Sequence, residues 1–379
     1  MRIIAGKMRS ILMKAHERFF SFEEDFRDPY ARDRGRVIHC SSFRRLEYKT
    51  QVFLNHEGDY FRTRLTHSLE VSQIARTLSR MLELNETLTE VIALSHDLGH
   101  TPFGHVGGDE LDKLLKADGR PLGFEHNFQS FRVLTKLEKR YRDFDGLNLT
   151  FATLEGVLKH SYPYKKPFLE GLDSCFALEK HPSLEAMVVD HADEIAYNSH
   201  DIDDGIKYGL ITFDDLLEDE LCLRVDEVVL NEGIKRDEKL YRHRFVAGLI
   251  KLLVEDFIEN SREGAKKYRQ EVPICVTMDA QMKLPVGFSK ETATQLKKLK
   301  KLLHQKLYKH QKIVRKMHAG KQCIKGLYTA FREDKDLLPP HQKELFDGRT
   351  QERVIADYIA AMTDRYAMKT YHEVYGFGL

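Results

Sequence analysis

The sequence predicts a mainly α-helical protein with at most a few short strands. Two observations carry this. Apolar residues recur at spacings of three and four along most of the 379-residue chain, the period of a buried helical stripe. β-branched, strand-like composition is confined to one short segment, VPICVTMD at 272–279. A hydrophobic share of 42% beside a charged share of 31% describes a soluble globular chain with a sizeable core. The formal charge of +1 supplies no global field towards nucleic acid or membrane, so any basic surface is local.

Taken in order, the first clear helix lies in 65–84, where Val71, Ile74, Ala75, Leu78, Met81 and Leu82 form one stripe. His67 precedes Val71 by four residues and falls on the same inward face. A second helix begins near Thr89, runs through Val91, Ile92 and Leu94, and stops where Gly99 and Pro102 break it. A third spans about 184–204 and ends before Gly205. Residues 206–288 are mixed. Helical periodicity returns from 290, is interrupted by LLPPHQ at 337–342, and resumes over about 349–375. This predicts a helical core of about 1–215 with an α-rich extension, 216–379, that carries a basic helix at about 290–325.

Five scattered cysteines without a CxxC pair indicate neither a disulfide framework nor a thiolate metal site, and fit a reducing cytoplasm. Charges interrupt every apolar run of MRIIAGKMRSILMKA, which argues against a signal-peptide core. The most apolar stretch, FVAGLIKLLV at 245–254, is too short to span a bilayer and contains Lys251.

The segment SHDLGHTPFGH at 95–105 holds three histidines and an aspartate around a Gly/Pro turn. Together, His67, His96, Asp97 and Asp193 offer two imidazoles and two carboxylates. That set suits Mn²⁺, Fe²⁺, Ni²⁺ or Co²⁺, with Mg²⁺ also possible. Four protein ligands on an octahedral ion leave two positions open, as metal-assisted hydrolysis requires. On the third helix Asp190, Asp193, Tyr197, Asp201 and Asp204 form an acidic stripe at spacings of three and four. Like charges so placed destabilise a helix. Spacing alone leaves open whether a site compensates them or water solvates them opposite Ala192, Ile195 and Ala196.

The chain resembles the HD-domain deoxynucleoside triphosphate triphosphohydrolases, in their bacterial dGTPase-like branch. The likeness runs in order through RDRGRVIHCSSFRRLEYKTQVF (32–53), GDYFRTRLTHSLEVSQIAR (58–76), SHDLGHTPFGH, FEHNFQSFRVL (124–134), GLNLTFATLEGVLKH (146–160), VDHADEIAYNSHDIDDG (189–205) and DYIAAMTDRYA (357–367). It implies an HD helical core and hydrolysis of a dNTP, dGTP or several, to deoxynucleoside and inorganic triphosphate. It implies metal ligation by His67, His96, Asp97 and Asp193, and places Arg64, His100, His105 and His126 around the α-phosphate. Tyr197 would meet phosphates, and Gln51 and Asp201 the sugar 3′-hydroxyl. Homo-oligomers, hexameric or tetrameric, are implied in the same way. An α-phosphorus attack expels the nucleoside 5′-oxygen, a poor leaving group unless protonated. A histidine supplies that proton near neutral pH; His105 is the first choice and His126 the second. In the bland reading His100 and His126 only orient ligands, Arg64 is a structural ion-pair partner, and Gln51 is an ordinary polar residue.

One position departs from the family pattern. After FGH the family pattern continues with any residue, a glycine and then an acidic residue, and this chain reads HVGGDE, with Gly108 in the acidic place. Asp109 or Glu110 can substitute only after a backbone shift. The basic helix carries twelve Lys or Arg against Glu291, with Leu296, Leu299, Leu303 and Leu307 as its apolar stripe. It reads as an amphipathic helix packed on the core, or as a face for single-stranded DNA or an effector nucleotide. Two alternatives stand beside the main reading: another HD-type nucleotide phosphohydrolase, and a regulatory nucleotide- or DNA-binding protein with an attenuated site.

Overall fold

A computed structural model describes residues 15–21, 26–51, 62–161, 176, 181–269 and 284–376. The described residues form helices and no β-strand; only isolated bridges occur, such as Thr50 with Thr63. The expected strand at 272–279 lies outside them. The principal helices are α1 (Pro29–Ile38), α2 (Arg64–Met81), α3 (Glu86–Ser95), α4 (His105–Ala117), α5 (His126–Arg132), α6 (Phe151–Leu158), α7 (Leu184–Lys207), α8 (Glu220–Asn231), α9 (Lys239–Arg269), α10 (Lys290–Leu303), α11 (Gln311–Glu333), α12 (Gln351–Ala361) and α13 (Asp364–Tyr375). None of these is long and apolar enough to cross a membrane.

Local chemistry sets the helix ends that matter for the site. The Thr63 hydroxyl accepts from the Thr66 amide while Thr66 returns a bond to the Thr63 amide, so α2 starts with Arg64 and His67 in its first turns. The Asn85 side chain caps α3. Ser183 caps α7, which passes through Gly205 and ends at Lys207, beyond the expected stop. A Cβ on Gly205 would lie 2.9 Å from Ile211, so that glycine serves close packing; Gly209, at φ +64°, makes the turn after the helix. The single basic helix expected over 290–325 is two helices, joined by a π-helical turn at His304–Tyr308. The last helix is likewise divided, because Thr363 caps a new start at Asp364.

Helices α2, α3 and α7 pack against one another through Val71, Ile74, Val91, Ile92, Ala192 and Ile195. The same apolar cluster takes in Leu296, Leu299, Leu303 and Leu307, all fully buried. Each such leucine contributes roughly 1.5–3 kcal/mol of burial energy, so the stripe of the basic segment is spent on packing. A second cluster joins Phe103 and, on α4, Leu111 and Leu115 to Ile324, Leu327, Phe331 and Ile359 of α11 and α12. Between these clusters lies the turn after α3.

Candidate active site

The turn is shaped by steric necessity. A Cβ on Gly99 would lie 2.1 Å from the Ser130 amide nitrogen, and one on Gly107 would lie 2.2 Å from the Pro102 carbonyl. Phe103 and Gly104 both adopt positive φ, +62° and +63°, which reverses the chain and starts α4 at His105. The Asp364 carboxylate accepts from the Thr50 and Phe103 amides, each at 3.1 Å, and so braces the turn from the extension. The buried Lys49 ammonium donates to the carbonyls of His100 and of Ala360, the latter at 2.8 Å. Burial, then the nearby Arg45 and Arg64, push its pKa down to about 7.

Helices α2, α3 and α7 bring His67, His96, Asp97 and Asp193 together. His67 Nε2 is 2.8 Å from Asp193 Oδ1, and the His96 Nε2 is 3.4 Å from Asp97 Oδ1 and 3.9 Å from Asp193 Oδ1. His96 is the C-cap of α3, and its Nδ1 lies 2.7 Å from the Ala93 carbonyl. That contact puts the ring proton on Nδ1 and leaves a lone pair on Nε2, which is buried and has no hydrogen-bond partner. An orphaned imidazole lone pair among carboxylates is the chemistry of a divalent-metal site, and the donor set fits one. Burial, opposed mainly by Asp97, lowers the His96 pKa and keeps the ring neutral as a ligand must be. Asp193 is held well below the usual carboxylate range: burial opposes this, and His160 and His67 outweigh it.

Arg64 donates through Nη1 to Asp97 Oδ2 at 2.9 Å, both side chains being buried. Its Nε is buried without a partner. Arg64 is therefore an ion-pair partner of Asp97 while also standing beside the cleft. Burial disfavours the Asp97 anion, but Arg64, His96 and His100 hold its carboxyl well below the ordinary range.

His100, His105 and His126 form a second group, with ring centroids 4.2 Å apart for His100–His126 and 5.2 Å for His100–His105. His100 Nε2 lies 3.1 Å from Asp97 Oδ1, which links the two groups. His105, the first residue of α4, is exposed to the cleft, and His126 is half-buried. Desolvation and the Arg64 charge lower the His105 pKa; burial, then His105 and His160, push His126 down to about 3. Asp109 is exposed and acts on His105 only electrostatically, while Glu110 is buried with Lys321 at 3.5 Å. Neither hydrogen-bonds His105. At Gly108 a Cβ would meet only ordinary contacts, with Phe124 at 3.7 Å, so the position has room for a side chain.

A cavity of about 450 Å³ lies behind the turn, and one of about 370 Å³ opens beside His105. The second is lined by Gln51, His105 and Tyr197 from the core and by Lys300, His304, Tyr308 and Lys316 from the extension. The Tyr308 hydroxyl donates to that of Tyr197 at 2.7 Å, and the π-helical turn is what swings His304 and Tyr308 to this wall. Asp201 does not line the cavity. It is buried one turn beyond Tyr197, with Oδ2 unpartnered, and burial followed by the Asp204 charge raises its pKa well above the ordinary value.

The acidic stripe of α7 is thus no solvated face: Asp193 meets His67, Asp190 meets His160, and Asp204 meets Arg62 at 2.9 Å. His160, His200, Lys300, His304 and Tyr308 were not reached from sequence. His200 had a signal, since it sits two turns after Asp193; its Nδ1 lies 3.4 Å from His67 Nδ1 and its Nε2 2.5 Å from Glu70. The others join the site only through tertiary packing.

A helical scaffold presenting a His and Asp cluster of this kind defines an HD-domain phosphohydrolase. The HD domain is matched over residues 64–198 and a phosphohydrolase-associated domain over 286–373. The chain is 62% identical over 365 residues to a deoxyguanosinetriphosphate triphosphohydrolase-like protein of Wolinella succinogenes, covering 96% of this chain and all of that protein. Proteins of the same description from Geobacter metallireducens and Thiobacillus denitrificans are 43% and 46% identical, over 95% and 92% of this chain and 93% and 91% of theirs. The chain belongs to the deoxyguanosinetriphosphate triphosphohydrolase-like family of HD-domain proteins.

Proposed function

We propose that the protein hydrolyses deoxynucleoside triphosphates to deoxynucleoside and inorganic triphosphate. The observation that carries this reading is the juxtaposition of two groups across Asp97: a His/Asp donor set with the buried, unpartnered His96 Nε2, and a histidine trio whose His105 lines a cavity walled by lysines and tyrosines. His67, His96, Asp97 and Asp193 hold the divalent ion. Bound there, it would supply Lewis-acid stabilisation of charge on the α-phosphate. Arg64, His100 and His126 take the phosphate oxygens. Water adds to the α-phosphorus, the bond to the 5′-oxygen breaks, and the water oxygen stays on the triphosphate.

His105 delivers the proton to the departing 5′-oxygen, with His126 second in line. Both rings are neutral in the free cleft, and an entering triphosphate anion raises the proton affinity of an imidazole beside it. Tyr197 and Lys300 meet the phosphates, Gln51 the sugar, and Asp201 supports that end from within α7. The HD core runs to about residue 215, and the remainder is an extension that completes the cavity. Outside the cavity, Lys298 and Lys306 pair with Glu220, Asp215 and Glu218, so an effector nucleotide or single-stranded DNA would use the lysines left over.

The test is to incubate Mn²⁺-loaded protein with each dNTP and each NTP and identify the phosphorus product. Intact triphosphate from dNTPs is expected. Orthophosphate or pyrophosphate would make it another HD nucleotide phosphohydrolase, and tight binding without turnover a regulator.

A further inference from the structure

We propose that His160 is a fifth protein ligand of the same metal centre, presented through Nε2 and oriented by Asp190. The inference rests on the reading that the cleft holds a divalent ion, and it adds a residue to that site.

His160 follows α6 and is buried. Its Nδ1 is paired with the Asp190 carboxylate, one turn before Asp193 on α7. Asp190 also accepts from the Ser161 amide at 3.2 Å, and Ser161 holds an unusual left-handed conformation at φ +61°. The Asn127 side chain donates to the His160 carbonyl at 2.7 Å. The residue is thus held at its carbonyl, at its following residue and by the Nδ1–Asp190 pair, and Nε2 is the nitrogen that approaches Asp193. A carboxylate on one ring nitrogen, with the other directed at a donor cluster, is how proteins orient metal-binding histidines.

The distances favour ligation over simple support of Asp193. His160 Nε2 lies 3.6 Å from Asp193 Oδ2, too long for a hydrogen bond. It falls among the separations already found between His96 and the two carboxylates, 3.4 and 3.9 Å. With bonds of about 2.0–2.2 Å, two donors on one ion lie roughly 2.9–4.3 Å apart. The His160 and His96 ring centroids are 4.9 Å apart, and the donor atoms of His96, His160 and Asp193 all lie within 4.8 Å of one another. Five protein donors on an octahedral ion would leave one position, for the α-phosphate oxygen, in place of the two that four ligands leave.

X-ray absorption on the wild-type protein loaded with Co²⁺ counts coordinated imidazoles directly. Three are expected. Two, with metal bound, would overturn the inference and leave the proposed activity standing; no metal bound at all would overturn both. His160→Gln is expected to show two imidazoles and a Mn²⁺ Kd raised about a hundredfold, with the melting temperature of the metal-free protein checking that it folds. Asp190→Asn is expected to keep three imidazoles and weaken Mn²⁺ about tenfold. An unchanged imidazole count in His160→Gln would count against ligation.

Discussion

The cleft has two walls built on different principles. On the core wall most polar groups are buried, and they are paired: Arg64 with Asp97, His67 with Asp193, His200 with Glu70. On the extension wall the charges are partly solvated; Lys300 reaches Glu194 at 2.5 Å with 43% of its side chain exposed. A buried array in low dielectric holds its geometry before any ligand arrives, whereas exposed cations add attraction at little structural cost. In the proposed reading, the core wall does the chemistry and the extension wall holds the substrate.

Substitutions in each wall break the comparison in different ways. Asp193→Ala removes the carboxylate shared by His67, His96 and His160; it is expected to abolish both metal binding, read by elemental analysis, and triphosphate release. Lys300→Ala removes one exposed cation, and we expect KM to rise about tenfold while kcat stays within a few-fold, the pattern of lost uniform binding. A fall in kcat as large as the rise in KM would move Lys300 into the chemistry. The smallest effect concerns pH. The folded pKa of His126 is about 3, against an unfolded value of about 6.5. The unfolded chain therefore takes up the proton first, and stability falls as pH drops from about 6.5 towards 3. His126→Asn is expected to lose less melting temperature between pH 7 and pH 4 than the wild type does. An equal loss would remove His126 from the acid response.

The same contrast explains what could be read from sequence. Helices α2, α3 and α7 announced themselves by period, and His67 by its place on the α2 stripe, because burial imposes a repeat. Gly205 misled, since close packing and a helix stop both favour glycine. The division of the basic segment was hidden: a π-helical turn leaves no compositional mark, yet it decides that His304 and Tyr308 face the cavity. His160 is equally silent, because its partners come from a helix thirty residues onward and its role depends on a turn at Ser161.

Lys49 has a consequence for the order in which the protein assembles. Its ammonium ties the His100 carbonyl to that of Ala360, two residues separated from it by 51 and 311 positions. Loop-closure entropy makes the longer of these contacts late to form. The turn that bears His100 and His105 is therefore made early in synthesis and set late in folding, and a chain caught between those moments has the helices of His67, His96 and Asp193 but an unset turn at His100 and His105.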